Sequence, residues 1–207
     1  MNFFIVRDDF PEIDAVIYIN LDHRPDRRAQ VVPELRKHFP PRKIHRLTAI
    51  PTNPGWYGCT MSHIAALRWA ESEGWNRVMI VEDDFQWTGN FAVGRNQMRS
   101  FSPADVVLLC GSYPTYDPTT FRVTSAGTTT GYVVRKEYIP TLRSNFEDGL
   151  EKLQAEPDRV EDYCVDQYWK QLMQKDTWYI VIPGMATQRA GVSDIGRGWI
   201  DHRNVIA

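Results

Sequence analysis

The 207-residue chain has only three cysteines, Cys59, Cys110 and Cys164, far apart and odd in number. They form no disulfide framework and no zinc-type spacing, so a reducing compartment and a cytoplasmic location are expected. Neither sign of charge dominates: 24 Lys and Arg stand against 26 Asp and Glu, a net of -2. That balance disfavours a protein that lives on nucleic acid or on an anionic membrane. No apolar run approaches the ~18 residues needed to cross a bilayer. The opening MNFFIVRDDF lacks a basic segment ahead of its short apolar run, so no signal peptide is read there. Repeats, low-complexity tracts and Gly/Ser linkers are also missing, which points to one domain over residues 1–207. There is no Gly-x-Gly-x-x-Gly and no Gly-Lys-Ser/Thr loop, which disfavours ordinary dinucleotide or P-loop binding. His-Glu-x-x-His and Gly-x-Ser-x-Gly are absent too.

What is present is an alternation of strand and helix signals. Ala15 to Leu21 is a short apolar run rich in β-branched residues and reads as a buried parallel strand. Arg24 to His38 reads as a helix, with Pro25 in its first turn and Val31, Val32 and Leu35 as its apolar stripe. Strands are expected at Ile44 to Ile50, Val78 to Val81, Asp105 to Cys110, Gly131 to Arg135 and Trp178 to Ile182. Helices are expected from the cap Ser62 through His63 to Glu73, ended by Gly74, and from Val160 to Gln174. This order implies an α/β fold with a mostly parallel central sheet flanked by helices. In such folds ligands bind beyond the carboxyl ends of the strands.

Val78-Met79-Ile80-Val81 runs straight into Glu82-Asp83-Asp84 at such a strand end. The acids either begin a solvated turn or hold a cation. Three adjacent carboxylates repel one another and call for a cation or strong donors nearby. If the strand continues, Glu82 and Asp84 share one side and Asp83 takes the other. Oxygen-only ligation suits Mg²⁺ or Mn²⁺ acting with a substrate's phosphates.

Ile19-Asn20-Leu21-Asp22-His23-Arg24-Pro25-Asp26-Arg27-Arg28, then Gly58-Cys59-Thr60-Met61-Ser62-His63, then Val78 to Phe85 stand in an order and spacing that resembles glycosyltransferase family 25. That family includes lipopolysaccharide-type and collagen galactosyltransferases. Gly131-Tyr132-Val133-Val134, Val165-Asp166-Gln167-Tyr168 and Ser193-Asp194-Ile195 match its later motifs, so the resemblance covers about residues 15 to 196. It implies a GT-A-type fold, a UDP-sugar donor, a Mn²⁺ or Mg²⁺ ion, a glycan or protein acceptor, and inversion at the anomeric carbon. The chain departs from the family where Ala49-Ile50 runs into Pro51-Thr52 instead of Asp-Gly, with a compressed loop from Asn53 to Tyr57. Donor selection is the property most exposed to that difference.

Under this resemblance Asp84 and then Glu82 are the expected metal ligands, and Asp83 faces the ribose or the sugar. A third ligand near the C-terminus falls on His202 or Asp194. Asp166, at the family's Val-Asp position, is the expected general base, with Asp162 one helical turn earlier as its alternative. Asn20 is placed to hydrogen-bond the nucleotide base and Leu21 to pack on it. Arg24 and Arg28 can reach the diphosphate through paired N–H groups. His63 has either a structural or a donor-binding place. Thr130 and Gly131 either cap the acceptor side or belong to an ordinary strand. Aromatic side chains are 12% of the chain, and Trp56, Tyr57, Tyr113 and Tyr116 fall in expected loops where a ring can stack on a sugar. Cys59 reads as structural, since no His-Asp constellation surrounds it. The rival reading is a catalytically degenerate nucleotide-sugar or carbohydrate-binding module.

Overall fold

The computed structural model describes residues 7–101, 103–196 and 198–201. The strands are β1 (Ala15–Asn20), β2 (Ile44–Thr48), β3 (Arg77–Glu82), β4 (Phe85–Trp87), β5 (Val106–Leu108) and β6 (Ser112–Tyr116). They are followed by β7 (Val123–Gly127), β8 (Gly131–Arg135), β9 (Trp178–Ile180), β10 (Ala186–Gln188), β11 (Gly191–Ser193) and β12 (Gly198–Ile200). The helices are α1 (Pro25–Arg36), α2 (Gly55–Glu73), α3 (Phe91–Ser100), α4 (Ile139–Ala155) and three short pieces, α5 (Val160–Tyr163), α6 (Val165–Tyr168) and α7 (Lys170–Met173).

Six strands make the central sheet in the order β2-β1-β3-β8-β5-β9. Its pairs are parallel except that β8 runs against both β3 and β5. The near-continuous apolar strands follow from burial on both faces. Ala15, Ile17 and Ile19 of β1, with Val78 and Ile80 of β3, join α2, α4 and Trp169 on one face. Val16, Tyr18, Met79 and Val81 pack on the other against Val31 and Leu35 of α1 and Met98 of α3. Every second residue thus feeds a different core, as the two-residue period of a strand requires.

Two expected elements change shape. Ser62 does not begin a helix. It lies within α2, which starts seven residues earlier at Gly55, and its hydroxyl donates to Gly58 O at 2.6 Å and accepts from Ile50 N at 2.9 Å. The expected continuous helix over Val160 to Gln174 is broken at Cys164, whose φ of -66° and ψ of 157° are extended. Asp162 and Asp166 therefore lose the one-turn relationship that would have put them on one face. No helix among the described residues is long and apolar enough to cross a membrane.

Candidate functional site

The carboxyl ends of β1 and β3 meet the start of β8 at the floor of a cleft of about 550 Å³. Its rim comes from the start of α2, from α6, and from the hairpin β11–β12. Glu82 closes β3, and its backbone N–H donates to Thr130 O at 3.1 Å, which ties the strand end to the approach of β8. Its Oε1 accepts from the Thr129 hydroxyl and faces His63 Nε2 at 3.5 Å, while Gln188 Nε2 donates to Oε2 at 3.4 Å.

The chain turns at Asp83 and Asp84 before β4, so strict strand alternation fails there. Both acids converge on Arg27. Its Nη1 donates to Asp83 Oδ1 at 2.8 Å and to Asp84 Oδ2 at 3.3 Å. Asn20 Nδ2 donates to the other Asp83 oxygen at 2.8 Å. Asp84 Oδ1 is buried and finds no hydrogen-bond partner among the described residues.

Two carboxylates thus share the Arg27 guanidinium with Glu82 close by, and the crowding of negative charge shows in the protonation of Asp83 and Asp84. Burial, and then the neighbouring Glu82, push Asp84 up to about 8. Burial also raises Asp83, against the pull of Arg27 and Asn20. Burial acts on Glu82 in the same direction, yet His63 and Thr129 hold its carboxyl below the ordinary value. An orphan carboxylate oxygen beside a second carboxylate fits a hard divalent ion, which binds through one or two carboxylates and completes its shell with phosphate oxygens and water.

Several expected residues are brought together in this cleft. Leu21, His63, Glu82, Asp83, Asp84 and Asp166 all line it. Asp166 accepts from Thr128 N at 2.9 Å through Oδ2, and the Cys164 thiol donates to its Oδ1 at 3.3 Å.

Others are placed differently. Asp162 is exposed and paired with Arg159 at 2.9 Å. Arg28 is exposed in a separate shallow hollow beside Pro25 and Arg36. Asn20 has its amide engaged, with Nδ2 on Asp83 and on Arg24 O at 3.1 Å and Oδ1 receiving Arg46 Nε at 3.1 Å, so it acts on Asp83. Arg24 pairs with Asp26 at 2.9 Å and with Asp194, pinning the β11–β12 hairpin. Thr130 is fully buried, with its hydroxyl 2.8 Å from that of Thr128. Gly131 is required by packing, since a Cβ there would sit 2.9 Å from the Phe85 ring. Of the four aromatics expected in loops, Trp56 and Tyr57 lie in the first turn of α2 and Tyr113 and Tyr116 in β6, and Trp56 alone lines the cleft. Tyr57 donates to Leu153 O at 3.0 Å, Tyr113 is exposed, and Tyr116 stacks on Phe121. His202 lies outside the described residues; Asp194 lines the cleft.

The residue that sequence reasoning missed is Arg27. Its signal was the phase of α1: it precedes the buried Val31 and Glu34 by four and seven residues and so shares their face. Gln188 and Arg189 also line the cleft, delivered by β10 and the residue after it, with no motif to announce them.

No protein-family model and no curated protein sequence matches the chain. Among solved structures, mannose-1-phosphate geranyltransferase from Thermus thermophilus superposes with a TM-score of 0.54 at 10% identity, over 89% of this chain and 76% of its own. That is a likeness of fold, and with the sheet described above it makes the architecture GT-A-like. Two further structures score below 0.5 and add nothing to it. They are A197 from STIV (0.46, 13% identity, 91% and 93% covered) and the glycosyltransferase GlyE in Streptococcus pneumoniae TIGR4 (0.48, 12%, 82% and 45%). The chain spans less than half of GlyE.

Proposed function

We propose that the chain is a metal-dependent, inverting glycosyltransferase that moves a hexose, galactose or glucose, from a UDP-sugar to a hydroxyl of a glycan or protein acceptor. One observation carries this reading. Of the six buried side-chain polar atoms without a partner among the described residues, four belong to residues that line one cleft: Trp56 Nε1, His63 Nε2, Asp84 Oδ1 and Arg189 Nε. Buried polar atoms are rarely left unpaired, and their concentration here fits a polar ligand that completes them. The motif resemblance to family 25 and the GT-A-like sheet favour a nucleotide-sugar as that ligand.

Asp84 and Glu82 would hold Mn²⁺ or Mg²⁺, with a third ligand from Asp194 or His202. Bound there, the ion would offset the charge that develops on the leaving diphosphate. Arg27 keeps Asp83 and Asp84 apart in role by engaging Asp83 more closely, which leaves Asp84 with a free oxygen. Asp166 takes the proton from the acceptor hydroxyl as that oxygen attacks the face opposite the diphosphate. Its carboxylate is held in position by the Thr128 N–H. Trp56 offers a ring and an unpaired N–H to a sugar.

The test is Asp84→Asn. It should abolish Mn²⁺-dependent release of UDP from UDP-galactose and UDP-glucose while circular dichroism stays native. Undiminished release in that variant would overturn the metal assignment.

The second reading is a binding module without turnover, favoured by the two hydrogen bonds that Asp166 already accepts. Calorimetry with UDP-sugars, with Mn²⁺ and then with chelator, separates the two. Binding that ignores the ion, without UDP release in the presence of acceptors, would favour the module.

A further inference from the structure

Cys59 and His63 are four residues apart on α2 and so present their side chains on one face, toward the end of β3. There the Cys59 thiol, a His63 ring nitrogen and a Glu82 carboxylate oxygen all lie within 4.8 Å of one another. His63 is 1% exposed, and its Nε2 has no hydrogen-bond partner among the described residues: the facing Glu82 oxygen stands at 3.5 Å. The other ring nitrogen, Nδ1, is 3.0 Å from the Tyr132 hydroxyl, which fixes the plane of the ring. In the metal complex, an Nδ1–H donating to that hydroxyl would leave the Nε2 lone pair for the ion. The Thr129 hydroxyl donates to Glu82. All three residues line the cleft.

We propose that Cys59, His63 and Glu82 form a binding site for a thiophilic divalent ion, Zn²⁺, with its fourth position open to the cleft. The donor set argues for this ion. A sulfur, an imidazole nitrogen and one carboxylate oxygen match zinc's preferences and are foreign to Mg²⁺, which takes oxygen ligands. Three protein ligands and an open position make the pattern of a reactive or inhibitable zinc site, unlike a closed structural one. In a tetrahedral zinc site the ligand atoms lie roughly 3.5 Å apart. His63 and Glu82 already meet that spacing, and the other separations, none above 4.8 Å, are to close through side-chain rotation. On binding, the Cys59 thiol loses its proton to solvent and the ion takes up the resulting thiolate. Tyr132 and Thr129 then act as the outer groups that orient the imidazole and the carboxylate. Glu82 is common to this site and to the hard-ion position proposed at Asp84. Zinc here therefore competes for Glu82, and micromolar Zn²⁺ is expected to oppose Mn²⁺.

This site does not depend on the transferase reading, and its test uses metal alone. The protein, freed of metal by chelator, is titrated with Co²⁺. The expected result is a thiolate-to-cobalt charge-transfer band together with tetrahedral d–d bands, all displaced by Zn²⁺. Cys59→Ser should abolish the charge-transfer band, whereas Asp84→Asn should retain it. Absence of the band in the wild type, or its survival in Cys59→Ser, would overturn the site. Should Cys59→Ser fail to fold, X-ray absorption on the wild-type zinc complex decides. One sulfur neighbour at about 2.3 Å supports the proposal, and a shell of nitrogen and oxygen only refutes it.

Discussion

Arg27 and Asp83 form an ion pair at 2.8 Å in which neither side chain is well hydrated, at 13% and 9% exposure. The pair joins α1 to the turn after β3, and Arg27 also donates to Val192 O at 2.7 Å, so one guanidinium links three segments of the cleft. Removing one member of a buried pair leaves the other uncompensated, which typically costs about 3–5 kcal/mol. Arg27→Met should therefore lose about 3 kcal/mol in urea unfolding, and adding Asp83→Asn should recover part of it. A loss below about 1 kcal/mol would show that solvent already screens the pair.

Asp166 carries the proton transfer in the proposed reaction, and general-base removal costs about 10²–10⁴ in rate. Asp166→Asn keeps an oxygen for the Thr128 N–H and should lower UDP-sugar turnover within that range. Donor affinity measured by calorimetry should stay unchanged. Equal loss of binding and turnover would make Asp166 a scaffold for the residue 128 turn.

Gly58 lies inside α2, where alanine ordinarily gains about 1 kcal/mol over glycine. Here the sign reverses. A Cβ at residue 58 would stand 2.1 Å from Ile50 O and 2.9 Å from the Thr52 hydroxyl, and the first of these is backbone that cannot swing away. Gly58→Ala should destabilise the protein by at least about 2 kcal/mol in thermal or urea unfolding.

His38 is stacked on Phe91 with centroids 3.5 Å apart, and its Nδ1 lies 2.6 Å from Asp9. Burial holds its pKa below the ordinary 6.5 despite that carboxylate, with Arg7 and Lys37 pushing the same way. Arg95 also faces Asp9, at 3.1 Å. The folded state thus favours neutral imidazole, so as pH falls below about 6.5 the unfolded chain takes up the proton first and stability is lost. Asp9 acts in a lower window. Burial raises it, but His38 and Arg7 outweigh that and hold it below 3.8, so its contribution fades only as pH falls below that value. The melting temperature should fall between about pH 7.5 and 5.5, and His38→Gln should flatten that fall. Identical slopes in both proteins would exclude His38 as its source.

The strands were legible because burial on both faces leaves unbroken β-branched runs such as Val78 to Val81. The direction of β8 was not, since a buried antiparallel strand carries the same pattern as a parallel one. Helix α4 was not expected, although it carries an apolar stripe of Ile139, Leu142, Phe146 and Leu153. The start of α2 was hidden by Pro54, Gly55 and Gly58, residues that favour turns. Gly58 is helical because the chain around Ile50 presses against it, a tertiary cause that local propensity does not contain. At the site, Glu82, Asp83 and Asp84 were visible since they are consecutive. Choosing Arg27 over Arg28 needed the phase of a helix, and Asp162 was misjudged because the break at Cys164 is conformational. Gln188 and Arg189 arrive from a distant strand and leave no local trace.

The roof of the cleft is fastened by contacts of very long range. Arg24 and Arg27 hold Val192 and Asp194 across separations of 165 to 170 residues. Closing a loop of that length carries an entropic cost, which the sheet offsets by positioning α1. A chain halted before Gly191 can own the whole acidic floor and still lack the enclosure that would keep water from it.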